Sequence, residues 1–142
     1  MINKETEFYS INTEDLTYFK LISITYKKKT GDKDEWDELF KIADDIFCKI
    51  NFKYILIINI NKLSFPGLNT VKIFSNILKK YTDNIDKYLI ESTIVIPTTI
   101  LSKTIINIFF KFYKSRRPIH TKYSYEEARE AIGKTITQFT KN

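Results

Sequence analysis

His120 and Cys48 are the only histidine and the only cysteine in the 142-residue chain. A nucleophile needs a base within hydrogen-bond reach, and a thiol needs nearby positive charge to ionise readily. Cys48 has one lysine, Lys49, beside it. His120 sits in a stretch whose alternation puts it on the strand face opposite Ile119 and Tyr123, the setting of a surface imidazole. A single cysteine allows no intramolecular disulfide and no cysteine zinc cluster, and a single histidine allows no multi-histidine metal site. Asp32, Asp34, Glu35, Asp37 and Glu38 crowd the start of a helix, where acids complement the helix dipole. The stretch "FPGLN" has one glycine, too few for a phosphate-cradling loop. No catalytic residue, metal ligand or cofactor is expected, and an enzyme is the least supported class.

Contact chemistry is better represented. "IFFKFYKSRRPIH", Ile108 to His120, interleaves aromatics with cations. Between Thr98 and Ser124 lie Lys103, Lys111, Lys114, Arg116, Arg117 and Lys122, with no Asp or Glu among them. These six account for the whole formal net charge of +6. Stepping about 100° per residue puts Leu101, Ile105, Ile108 and Phe112 on one helix face, with Phe109 flanking, as the core stripe. Lys103, Lys111 and Lys114 share the opposite face. Phe110 falls among these cations, roughly 155° from the core centre, and Ile106 lies at the same edge. Two readings follow. Either this helix is packed on a second side, by the last helix or a second copy of the chain, or Phe110 and Ile106 are apolar wedges on a cationic contact surface.

The binding candidates are a protein partner, an anionic membrane and nucleic acid. Each cation near an anionic membrane contributes roughly 1 kcal/mol, so four give only about millimolar attachment unless an apolar wedge or a headgroup pocket adds to it. Arginine is scarce and no nucleic-acid motif is present, which puts nucleic acid last.

The elements that position these residues follow from periodicity. Leu16–Tyr26 alternates and is rich in β-formers, with "EFYSI" as a short partner strand and Asn12–Asp15 as the turn. Trp36, Leu39, Phe40, Ala43, Ile46, Phe47 and Ile50 form one helical stripe. "YILIINI", Tyr54–Ile60, is apolar throughout, as in a strand buried on both faces. A second helix carries Val71, Phe74, Ile77, Leu78 and Tyr81. Ser92–Pro97 is another buried strand, Thr98 to about Lys114 the third helix, and Pro118–Tyr123 a strand. Ser124 and Glu127 have capping-box spacing before a last helix with Ala128, Ala131, Ile132, Thr135 and Phe139. The order ββαβαβαβα implies an α/β domain, residues 1–142, whose mixed sheet is mostly parallel. The polar start lacks the apolar core of a signal peptide. "LIESTIVIPTTILSKTIINIFF" is divided by Pro97 and carries Glu91 and Lys103, whereas a spanning helix needs roughly 20 unbroken apolar residues. The expected location is cytoplasmic, with peripheral membrane attachment as an option.

From about Leu16 to Phe139 the chain resembles small STAS-like domains, related to the divergent CRAL-TRIO lipid-binding type. The resemblance rests on "IVIP" leading into "ILSKTIINIFFKFYKSRRP", then "IHTKYS", then "YEEAREAI". It implies a STAS/CRAL-TRIO-like fold and a non-catalytic interaction or regulatory module. The alternative it implies is a small lipid or hydrophobic-ligand carrier with its pocket between the third helix and the sheet. Anti-sigma-factor antagonists of that family carry an Asp-Ser-x-Gly turn with a phosphorylated serine. Here the region reads "NKLSFPGLNTV" and the Asp-Ser pair is missing, which leaves Ser64 or Thr70 as substitute phosphorylation sites.

Overall fold

The computed structural model describes residues 3–98 and 100–141. Its elements are β1 (Lys4–Glu5), β2 (Tyr9–Asp15), β3 (Lys20–Tyr26), α1 (Lys33–Lys49), β4 (Tyr54–Asn59), α2 (Leu68–Lys80), α3 (Thr82–Tyr88), β5 (Leu89–Val95), α4 (Ile100–Phe112), β6 (Ile119–Lys122) and α5 (Tyr125–Lys141). The strands form one sheet in the order β1-β2-β3-β4-β5-β6. β1, β2 and β3 pair antiparallel, and β3 through β6 pair parallel. The expected α/β fold with a mixed, mostly parallel sheet is what the chain adopts.

β4 has a continuous apolar run because it is covered on both faces. Tyr54 and Leu56 join Ile22, Ile24, Leu39, Ile46, Leu78, Ile85 and Tyr113 in a core beneath α1, α2, α3 and α4. Ile55 and Ile57 point the other way and pack with Leu21, Val95, Ala128 and Ile132 under α5. Four helices therefore share one face of the sheet and α5 alone covers the other. A last helix on the far face cannot cover α4, which removes one of the covers expected for Phe110.

Local chemistry fixes the ends of the helices. Asp32 caps α1: the Glu35 amide donates to Asp32 Oδ1 (2.8 Å) and the Asp32 amide to Glu35 Oε1 (3.1 Å), a reciprocal capping box. At α5 the Glu127 amide donates to Ser124 Oγ (3.1 Å), but the Glu127 carboxylate accepts from the amide of Tyr123, one residue earlier than the motif requires. Just ahead of α1, Gly31 crosses the buried ring of Phe8, where a Cβ would lie 2.6 Å from two ring carbons.

Three expectations are corrected. Asn12–Asp15 belong to β2 rather than a turn, and the turn is at Leu16–Phe19, closed by the Leu16 amide donating to the Phe19 carbonyl (2.9 Å). Phe19 folds under α5 and is buried there, so apolar residues serve as the turn while the polar residues stay in a strand near the sheet edge. α3 was not anticipated because it is short and polar and buries only Ile85. β1 has two residues and adds a further strand. Leu101, Ile105 and Phe139, assigned above to apolar stripes, lie outside the described side chains.

The α5 layer is tied to β2 by a two-pronged pair: Arg129 Nη1 donates to Glu14 Oε2 (2.6 Å) and Nη2 to Oε1 (3.3 Å). The hydrogen bond from Arg129 holds the Glu14 carboxyl below its ordinary value of 4.5. Stability from a lowered carboxyl is complete above that ordinary value and is lost as pH falls through the lowered one. Glu14→Gln is therefore expected to flatten the fall of stability on acidification, read as the urea midpoint against pH, because the variant already lacks this contribution at neutral pH, where the loss is about 0–1 kcal/mol for a part-exposed pair.

Candidate interaction surface

α4 is apolar around more than half its circumference, and its orientation decides which residues can reach a partner. Ile106 and Tyr113 are buried and Phe109 and Phe110 are half-buried. The spacing 106, 109, 110, 113 is one helical stripe, and it faces the sheet. Ile106 packs with Ile94 and Ile96, and Phe110 joins that cluster beside Ile119. The Phe109 ring lies 5.8 Å from that of Phe110 and 6.2 Å from that of Phe74 in α2. This corrects the wedge expectation: Ile106 and Phe110 are packed by the chain's own sheet, so no second copy is needed to cover them. Ile108 and Phe112, expected at the core, are half-buried outside the core clusters.

With α4 so oriented, Lys103, Lys111 and Lys114 are exposed. The connection to β6 is structured by Ser115, whose hydroxyl donates to the Arg117 carbonyl (2.9 Å) and accepts from the Arg117 amide (3.0 Å). This turn directs two cations at the end of α3. Arg116 pairs with the Asp86 carboxylate (2.9 Å), and the Arg117 guanidinium donates from Nε (3.0 Å) and Nη2 to the Asp86 carbonyl. Phe110, Tyr113, Lys114, Ser115, Arg117 and Ile119 surround an open depression of about 410 Å³. Lys122 lies on β6, half-buried.

Sequence reading missed that α2 extends the same surface. Phe74 and Phe109 bring α2 and α4 side by side, and residues 51–82 contain no Asp or Glu. Lys62, Lys72 and Lys79 are exposed. The missing signal was the absence of acids, which a tally of net charge does not register. Ion pairs among the described residues fall largely elsewhere: Lys4–Glu38, Lys20–Asp15, Lys27–Glu5, Lys28–Glu35 and Lys49–Asp45. Lys80, at the α1 side of α2, pairs with Asp44 (3.2 Å). The Tyr81 hydroxyl also donates to Asp44 (2.9 Å), and these two hydrogen bonds hold the Asp44 carboxyl below its ordinary range.

Between α2, α4 and the ends of β4 and β5 is an apolar cleft of about 90 Å³, lined by Trp36, Leu63, Val71, Phe74, Ile106 and Phe109 among others. Tyr26 also lines it, and burial pushes its hydroxyl above the usual tyrosine range. Thr70, in the first turn of α2, is at the same cleft. Ser64 is exposed in the preceding loop, its amide bonded to the Lys29 carbonyl (2.9 Å). Gly67 caps α2 with φ of 97° and no side-chain cap, a conformation glycine adopts at no steric cost.

The catalytic candidates do not come together. Cys48 is exposed on α1. An extra residue in β5 opposite Tyr54–Leu56 turns Glu91 toward α5. There its carboxylate accepts from Thr135 Oγ1 (2.7 Å) and contacts His120 Nε2 (3.1 Å). His120 thus belongs to the α5 side of the sheet and Cys48 to the other. The described residues contain no group of three metal-ligating side chains.

No protein-family profile matches the chain, and no curated protein does. Solved structures do. A protein from the DUF3478 family with a SpoIIAA-like fold, from Shewanella loihica PV-4, superposes with a TM-score of 0.62 at 9% identity, covering 92% of this chain and 98% of that one. An anti-sigma factor antagonist from Mycobacterium paratuberculosis gives 0.51 at 12% identity, covering 89% and 96%. The fold is therefore SpoIIAA-like, the STAS fold that the sequence resembles.

The orientation of α4 is open to test. Phe110→Ala is expected to cost about 1–3 kcal/mol, the part-buried share of a core phenylalanine, whereas Lys111→Glu stays within about 0.5 kcal/mol. Urea denaturation of both variants separates a packed Phe110 from an exposed one.

Proposed function

We propose that this single-domain chain is a non-catalytic interaction module that binds an acidic protein partner through the outer surface of α4 and its neighbours. Lys103, Lys111 and Lys114 are the principal contacts, with Arg116 and Arg117 at the α3 end, where both also engage Asp86. Lys122 is at the opposite end of β6, beside Val95 and on the same strand face as His120, and contributes least. The supporting observation is the asymmetry of charge pairing. Cations on the β1–β3 and α1 side have acids beside them, whereas the adjoining helices α2 and α4 contain none. Fixed positive charge of this kind steers an acidic surface into contact more than it adds affinity. The separation of His120 from Cys48 supports a role without catalysis, and the likeness in fold to an anti-sigma factor antagonist supports a protein as the partner. The exposed single thiol suits a reducing, cytoplasmic setting.

The other readings have less support. A membrane loses the wedges expected on α4, because Ile106 and Phe110 pack against the sheet, and cations without such wedges give roughly millimolar attachment; the exposed apolar residues Leu68 and Ile73 lie on α2 instead. No helix among the described residues is long and apolar enough to cross a membrane. A lipid carrier needs an enclosed pocket of roughly 300 Å³ or more; the apolar cleft is about 90 Å³, and the depression of about 410 Å³ beside Phe110 is open and bordered by Lys114 and Arg117. A homodimer through α4 would oppose like charges. Phosphorylation of Ser64 or Thr70 belongs to the same reading: it would bring roughly −1.5 to −2 charge to the cleft end of the surface and oppose an acidic partner.

The test is a titration of polyglutamate by calorimetry at low and high salt. Lys103→Glu/Lys111→Glu/Lys114→Glu should weaken binding about tenfold or more, with the native melting temperature kept, and added salt should weaken the native protein alike. Equal binding by the triple variant refutes the assignment, as does stronger sedimentation with phosphatidylserine vesicles than binding to polyglutamate.

A further inference from the structure

We infer that the open edge of β6 receives an extended segment of the protein partner, added as a further strand with an acidic side chain opposite Ile119. This rests on the acidic-partner reading above and adds the form in which that partner docks. β6 is the last strand of the sheet. It bonds β5 through the Pro118 carbonyl, which accepts from the Ser92 amide (3.0 Å), and the Lys122 carbonyl, which accepts from the Ile96 amide (2.9 Å). Bonding residues alternate along a parallel ladder, so His120, between them, also turns its backbone groups to β5. Ile119 and Thr121 therefore turn their amides and carbonyls away from β5. His120 and Thr121 are exposed.

The chemistry of an edge selects its occupant. A row of outward amides and carbonyls matches another extended backbone, which neither a helix nor an acyl chain supplies. The row is short, because β6 spans only Ile119–Lys122, so side chains must add to it. In an added strand, the residue opposite Ile119 lies on the same face of the sheet as Ile119. That is the α4 face, since Ile119 packs with Phe110. On it, beside Ile119, is the open depression of about 410 Å³ bordered by Phe110, Tyr113, Lys114, Ser115 and Arg117. Its lining carries two cations and no acid. The Arg117 guanidinium bonds the neutral carbonyl of Asp86, whose carboxylate pairs with Arg116. A carboxylate opposite Ile119 suits this lining. The acids of β5 and α5 beside β6 belong to the other face: Glu91 bonds Thr135 and His120, Glu127 bonds the Tyr123 amide, and Glu126 and Glu130 are on α5. A second copy of this chain paired through β6 would set the cations of one α4 against those of the other.

Amide hydrogen exchange of Ile119 and Thr121, read by NMR on the full chain, reports occupancy of the edge. The probes are three blocked peptides: alternating glutamate and valine, the same with proline for valine, and the same with lysine for glutamate. The glutamate–valine peptide at saturation is expected to slow exchange of both amides about tenfold or more. The proline peptide keeps the charge but loses strand donors, and the lysine peptide keeps the strand but reverses the charge, so neither should slow them. Thr121→Pro removes an outward donor while the bonds of His120 and Lys122 to β5 stay, and it should weaken the glutamate–valine peptide about tenfold. Should that variant fail to fold by circular dichroism, exchange of the two amides decides alone. Binding of the glutamate–valine peptide with both amides still exchanging freely overturns the edge and leaves the cationic surface standing, as does equal slowing by the proline peptide. Equal slowing by the lysine peptide overturns the acidic component, and no binding by either glutamate peptide overturns both readings. Slowing that grows with protein concentration in the absence of peptide assigns the edge to a second copy and overturns the partner strand.

Discussion

The structure depends on a strand that must be covered on both faces. Tyr54, Ile55, Leu56 and Ile57 are all buried, and alternate side chains point to opposite sides. Each face needs its own apolar layer. One is built from α1, α2, α3 and α4, the other from α5 alone. Crowding four helices onto one face sets the sides of α4: its inner stripe meets β5 and β6 while its outer face retains the lysines. The contact surface is a by-product of how the sheet is covered, and α2 and α4 become neighbours for the same reason.

Much of this was legible in the sequence. The β4 run, the α1 stripe and the acidic N-terminus of α1 appear as read, and so does the mixed, mostly parallel sheet. The orientation of α4 was not legible, for a physical reason. Leu101, Ile105, Ile108 and Phe112 form one stripe of helical spacing, and Ile106, Phe109, Phe110 and Tyr113 form another. Periodicity ranks them nearly equally; only their neighbours, Ile94 on β5 and Ile96 just after it, select the second. The first hairpin failed differently. Asn12 and Glu14 look like turn residues because their side chains leave the core, and Phe19 looks like a strand residue because its side chain folds back under α5 while Thr17 and Tyr18 of the same turn are exposed. α3 gives almost no periodic signal with one buried side chain.

The candidate site was half legible. Its cations on α4 could be counted, but that α2 belongs to the same surface required the packing of Phe74 on Phe109. Acid-free stretches far apart in sequence become one surface only in three dimensions. The fold itself does not assign the partner: at 9% and 12% identity the structural likeness concerns architecture, and the Asp-Ser turn of the resembled antagonists is absent here. The functional reading therefore rests on this chain's own charge pattern and on the separation of its catalytic-type residues.

The central claim is that contact occurs on the joint surface of α2 and α4. Amide chemical-shift mapping by two-dimensional NMR, with polyglutamate added to labelled protein, tests it most directly. The account predicts that the perturbed amides cluster at Lys72, Lys103, Lys111 and Lys114. Perturbations confined to α5, or to the β1–β3 edge, would contradict it.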